Sequence, residues 1–193
     1  LGVAASPARK PPGPARDAAV QFLSQQALTP PENLPEALEA FWADRPELLQ
    51  DREPDAPSPL PEGAERLPAE PAPEEAPAPA HDGAPTADEA AIRAFAEQLI
   101  RGTLGHREEI DREIERVSQN WKLHRLAAVD RNVMRLAIYE MKHRPDIPPV
   151  VSINEAVDLA RKYSTGESGR FVNGLLDRIR TELPRPARTP APP

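Results

Sequence analysis

Apolar side chains recur at steps of three and four in several separate stretches of the chain, and no stretch alternates with period two over a useful length. After Pro14, the positions Ala18, Ala19, Phe22 and Leu23 share one face of a first helix, of which only Phe22 and Leu23 are large. Pro35 opens a second helix, because proline in a first turn costs little. Its face is Leu34, Leu38, Phe41 and Trp42, and Pro46 ends it. Thr86 and Glu89 have capping-box spacing before a long stripe running from Ile92 through Phe95, Leu99, Ile100 and Leu104 to Ile110, Ile114, Val117 and Trp121. Gly102 and Gly105 interrupt it, each costing about 1 kcal/mol inside a helix. They mark a close helix crossing or a weak joint, with a break near 105–108.

The next helix carries Val133, Leu136, Ala137, Tyr139 and Met141, with Asp130 as its expected cap and His143, Arg144 and Pro145 closing it. DIPP reads as a turn. Ser152 and Glu155 then have the spacing of a second capping box, with Val151 placed to staple onto Ala156. That helix continues to about Tyr163. A last helix over 168–183 turns Phe171, Val172, Leu175, Leu176, Ile179 and Leu183 inward, with Ser164, Thr165 and Ser168 expected to cap it. Asn173-Gly174 is a hairpin signal, but the helical period around it overrides that reading. Asn154 and Asn173 are expected as buried amides tying turns to helix backbones. The chain is therefore expected to be all-α, with about seven helices.

Composition divides the chain. Of 26 prolines, 14 fall in residues 30–90 and only three in 91–183. The formal charge of −7 is equally uneven: residues 30–90 carry −13, whereas 91–193 carry +4. The foldable part is mildly basic, and one insert supplies the acid. Residues 53–86 hold two leucines and no other large apolar side chain, too little to offset the entropy of ordering them. The expected organisation is a disordered basic arm over 1–14, N-terminal helices over 15–52, a disordered Pro/Ala/Glu-rich insert over 53–86, the main helical part over 87–183 and a disordered tail over 184–193.

The absence of cysteine excludes disulfides, thiolate zinc sites and cysteine nucleophiles. No run approaches membrane-spanning length, and the first residues hold no apolar stretch of signal-peptide size, so a cytoplasmic protein is the expectation. His81, His106, His124 and His143 lack ligand spacing on any one helix and read as surface residues. There is no phosphate-cradling glycine loop and no nucleophile elbow. A cofactor and catalysis are not expected.

A binding role fits better. Arg9, Lys10 and Arg16 gather at the start of the first helix. Lys122, His124, Arg125, Arg131 and Arg135 cluster around one helix junction, and Lys162 and Arg170 flank the last turn. Phosphate binding needs cations on a common face, and arginine also stacks on unpaired RNA bases.

Residues 129–179, with VDRNVMRLAIYEM, DIPPVVSINEAVDLARKYS and GESGRFVNGLLDRI, resemble the NusB family of bacterial transcription antitermination factors. WKLHRL at 121–126 fits as well, and ARDAAVQFL at 15–23 looks like the family's first helix. The resemblance implies two packed helical subdomains and no catalytic activity. It implies binding to boxA-type RNA together with the ribosomal protein NusE, within the elongation complex of RNA polymerase. By the same resemblance Arg9, Lys10 and Arg16 match the family's RNA-binding N-terminal segment, here interrupted by PPGP. Lys122 and Arg125 lie where further RNA-facing residues are presented. Asp130 and Glu167 match acidic positions of the protein-partner surface, with Phe171 beside them or in the core, and Arg170 serves either surface. A substrate-binding module of an RNA cytosine methyltransferase and a helical dimerisation scaffold remain as alternatives, and a homodimer stays open.

Overall fold

The computed structural model describes residues 13–26, 31–49, 86–118 and 126–183. Residues 1–12 of the expected arm, 53–85 of the expected insert and the expected tail, together with Trp121, Lys122, His124 and Arg125, lie outside those residues; Gly13 and Pro14, expected in the disordered arm, instead open the first helix, and Thr86, expected in the insert, caps another. Within them are seven α-helices and one 3-10 turn, and no strand. The helices are α1 (Gly13–Gln25), α2 (Leu34–Asp44), α3 (Ala87–Gly105), α4 (Arg107–Ser118), α5 (Ala128–His143), α6 (Pro149–Tyr163) and α7 (Gly166–Glu182), and the 3-10 turn is Pro46–Leu49. None is long and apolar enough to cross a membrane.

The organising element is α5. Val133, Met134, Leu136, Ala137, Ile138 and Met141 are buried, and so are the polar Asp130, Asn132, Arg135 and Glu140. A helix covered on nearly every side lies inside the bundle. Helices α1 and α3 pack on one flank of α5, α6 and α7 on the other, and α4 bridges α5 and α7. On the first flank, Phe22 of α1 meets Phe41 of α2 edge-on at 5.4 Å, and Phe41 meets Trp42 at 5.1 Å. One continuous core joins both flanks.

Local signals explain most helix ends. Thr86 and Glu89 form the full reciprocal capping box. Asn33 caps α2 by accepting the Glu36 amide at 3.3 Å. Two expected caps are replaced. Helix α6 starts at Pro149, three residues before Ser152, because proline suits the first helical position. Ser152 is consequently buried inside the helix, and no Ser152–Glu155 box or Val151 staple forms. Helix α5 starts at Ala128, which moves Asp130 into its first turn and leaves Ala127 at the cap. Asn154 and Asn173, expected as buried amides, are exposed on α6 and α7.

The α3–α4 break falls at His106, where the chain changes direction between Gly105 and Arg107. Gly102 is a close crossing: a Cβ there would fall inside the ring of Tyr139 on α5. Gly174 of α7, by contrast, faces open space. Gly102→Ala should therefore destabilise the fold by about 1–3 kcal/mol, because the ring must be displaced, even though alanine is the better helix former. Gly174→Ala should stabilise it by about 1 kcal/mol. Urea unfolding of the two variants beside the parent checks both signs.

Candidate nucleic-acid and partner interface

The described residues among those expected at the two surfaces are Arg16 on α1, Asp130 on α5, and Glu167, Arg170 and Phe171 on α7. Arg16, expected on an RNA-facing surface, is instead in the core, with 1% of its surface exposed. Its Nε donates to Glu140 Oε1 of α5 at 2.9 Å, and its Nη1 lies 3.7 Å from Glu155 Oε2 of α6. The guanidinium also sits 5.8 Å from the centre of the Phe95 ring on α3. A position one helical turn into α1 faces α5 and α6 rather than solvent, so Arg16 is a structural cation. Arg9, Lys10, Lys122 and Arg125 lie outside the described residues.

The outer face of α1 is tied to the end of α6. Asp17 accepts from Lys162 Nζ at 2.5 Å and from the Tyr163 hydroxyl. Gln21 donates to both Asp17 and Tyr163, and accepts from Arg45 Nη1 at 2.6 Å. Burial raises the Tyr163 pKa, and its hydrogen bond to Asp17 adds to the rise. At Lys162 burial opposes the charge, but the hydrogen bond and charge of Asp17 outweigh it and raise the pKa. Lys162 is thereby partly neutralised as a free surface cation.

A cation-rich corner forms where α4 meets α5. Arg135 grips Asp111 with two hydrogen bonds, at 2.6 and 2.7 Å, and also donates to Asn132 at 2.9 Å. Arg107 approaches the same carboxylate at 3.8 Å. Burial lowers the Arg131 pKa, and the charges of Arg135 and Arg107 lower it further against the attraction of Asp111. Two arginines thus hold one carboxylate, with Arg131 close enough to feel its charge, and Arg107 and Arg131 are half-exposed. The chain enters α5 here, directly after the stretch that carries Lys122 and Arg125.

At the opening of α7, Thr165 holds the N-cap position, yet its hydroxyl does not cap the backbone. Ser164 and Thr165 both bond to Ser168 Oγ, at 2.9 and 3.0 Å, and Ser168 donates to the buried Asp130 Oδ2 at 3.0 Å. The hydroxyls expected as caps therefore lock the start of α7 to the start of α5. Asp130 is 7% exposed, so it acts beneath the surface rather than on it. On the first turns of α7, Glu167 and Arg170 are exposed and 3.6 Å apart. Phe171 is half-buried, packed against the core while keeping an accessible edge. Glu167, Arg170 and Phe171 are thus brought together as an acidic, basic and aromatic surface, with Asp130 as its support. Sequence patterning misses Ser168 as the connector, because a Ser-Thr turn looks the same whether it caps a backbone or reaches across to another helix.

Comparison with known proteins identifies relatives of the fold. The profile of the NusB family matches residues 75–181. The transcription antitermination protein NusB of Myxococcus xanthus is 55% identical over 92 residues, which cover 48% of this chain and 66% of that protein, just under two thirds of its length. A solved NusB structure from T. maritima is 31% identical, covers 90% of this chain and 93% of its own, and superposes with a TM-score of 0.60. The fold is shared with a crystal structure of antitermination factors NusB and NusE in complex with double-stranded RNA, at 23% identity and a TM-score of 0.59, covering 89% of this chain and 96% of that one.

Removing one member of a buried ion pair strands the other, at a cost of about 3–5 kcal/mol. Arg16→Met should lower unfolding free energy by that amount, and Arg16→Met with Glu140→Met should recover most of it. Thermal and denaturant unfolding of the single and double variants measures the difference. A near-neutral single variant would return Arg16 to the surface.

Proposed function

This chain belongs to the NusB family, and from that footing we propose that it is a non-enzymatic transcription antitermination factor of the cytoplasm. In this reading it binds boxA-type RNA in a heterodimer with the ribosomal protein NusE and joins the elongation complex of RNA polymerase. The family match over residues 75–181 carries the proposal. Two features of the geometry support it. Arg107 and Arg131 form a cation-rich corner at α4 and α5, and Lys122 and Arg125 precede Arg131 in the sequence by nine and six residues, a density of cations that suits a polyanion. The exposed Glu167–Arg170 pair with the Phe171 edge offers mixed charge and an aromatic anchor, which suits a protein.

The roles divide accordingly. Arg9 and Lys10 on the arm, with Lys122 and Arg125, contact RNA phosphates. Glu167 and Phe171 contact the protein partner, Asp130 holds their helix in place, and Arg170 sits where either macromolecule can reach it. Arg16 positions α1 and through it the arm. Residues 15–52 and 87–183 are one helical domain, and 53–86 is an insert within it.

Anisotropy titration with a boxA oligonucleotide, with and without NusE and at several salt concentrations, tests the assignment. Replacing Lys122 and Arg125 with alanine should weaken RNA binding and flatten the dependence of log K on log salt by about 0.7 per lost phosphate contact. An unchanged slope would move the RNA face elsewhere. Glu167→Lys should weaken NusE binding while leaving RNA binding without NusE and the circular dichroism spectrum unaltered. Full NusE affinity in that variant would count against the partner surface.

A further inference from the structure

His106 caps the end of α3, Glu109 lies in the first turn of α4, and His143 is the last residue of α5. The break at His106 folds α4 back so that all three side chains converge. Each offers a ligand atom, and these atoms lie within 4.8 Å of one another. The imidazole rings are 3.9 Å apart between centres, and His143 Nε2 lies 3.9 Å from Glu109 Oε2.

The donor set is prepared for coordination. His106 Nδ1 lies 2.9 Å from the Gly102 carbonyl. A carbonyl only accepts, so Nδ1 carries the proton and Nε2 keeps its lone pair, the outer hydrogen bond by which metal-binding histidines are oriented. His143 Nε2 is sealed from solvent and has no hydrogen-bond partner among the described residues. Tyr139 stacks on His143 at 5.4 Å and contacts His106 at 5.7 Å, holding both rings in place. Glu109 remains 44% exposed, which leaves a path for an ion.

We propose that His106, Glu109 and His143 form a binding site for a single divalent transition-metal ion of the zinc class, stapling the α3–α4 joint to the end of α5. Two imidazoles and a carboxylate are a known zinc donor set, with a fourth position left for water. Tetrahedral coordination needs ligand atoms about 3.4 Å apart, so modest side-chain rotation closes the site. Lys142 competes with the ion, because its Nζ holds Glu109 Oε1 at 2.7 Å. The site lies ~20 Å along α5 from Asp130, well away from the proposed partner surface.

Titration of the intact chain with zinc chloride against a chromogenic chelator, and with cobalt for its ligand-field spectrum, tests the site. One equivalent should bind, and Tm should rise with zinc concentration. His106→Asn and His143→Asn should each weaken binding more than about tenfold. Lys142→Met should tighten it several-fold by releasing Glu109, an effect that a damaged fold would not produce. His81→Asn with His124→Asn should leave it unchanged. Absence of saturable one-equivalent binding below millimolar zinc, or an affinity that follows His81 and His124 instead, would overturn the site.

Discussion

The Arg16 guanidinium, enclosed where α1 crosses α5 and α6, holds the two flanks of this protein in register. Desolvating that charge is costly, and the Glu140 and Glu155 carboxylates at 2.9 and 3.7 Å offset the cost. The Phe95 ring of α3 is approached by this cation at 5.8 Å and by Arg144 at 5.0 Å. Four helices therefore share one charged contact. Its worth lies less in net stability than in uniqueness: apolar side chains tolerate a small slip of α1 along α5, whereas a buried guanidinium that loses its carboxylates does not.

Helix α5 transmits that constraint along its length. Its middle is buried, and its last turn carries Glu140 for the Arg16 contact. Its start is fixed to α7 by the Asp130–Ser168 bond, and its end meets α3 and α4 through Tyr139, His143 and Lys142. A rigid central helix with different chemistry at each end lets one fold present separate surfaces without a moving part. Toward the start of α5, Arg135 and Arg107 hold Asp111, and Ser168, beside the Glu167–Arg170 pair on α7, bonds Asp130. At the far end, two histidines and a glutamate converge.

The N-terminal helices show how a fold of this kind accommodates chain from elsewhere. Residues 50–85 separate the 3-10 turn from α3, yet Phe22, Phe41 and Trp42 share one core with Leu99 and Ile100. Leu48 and Leu49 pack partly buried against the core before that stretch and Ile92 is buried in it afterwards, so the helices on either side are held by the core itself.

Sequence alone determined the helices, because apolar spacing and proline placement act over a few residues: α1 to α7, the break at His106 and the Thr86–Glu89 box follow from it. It also offered a close helix crossing, beside a weak joint, as the reading of Gly102 and Gly105, of which the crossing holds at Gly102 alone, and it pointed to the family through the run from 129 to 179. Tertiary structure decided what each polar side chain does. Asp130, Ser152 and Ser168 carry the same short-range capping signal, yet one supports α7, one is buried within α6 and one links two helices. Arg16 looks like any arm cation until α5 and α6 close over it. His106 and His143 are 37 positions apart and share no helix, so no spacing rule pairs them. A charge or a lone pair takes its role from the partner it meets, and that partner lies on another helix.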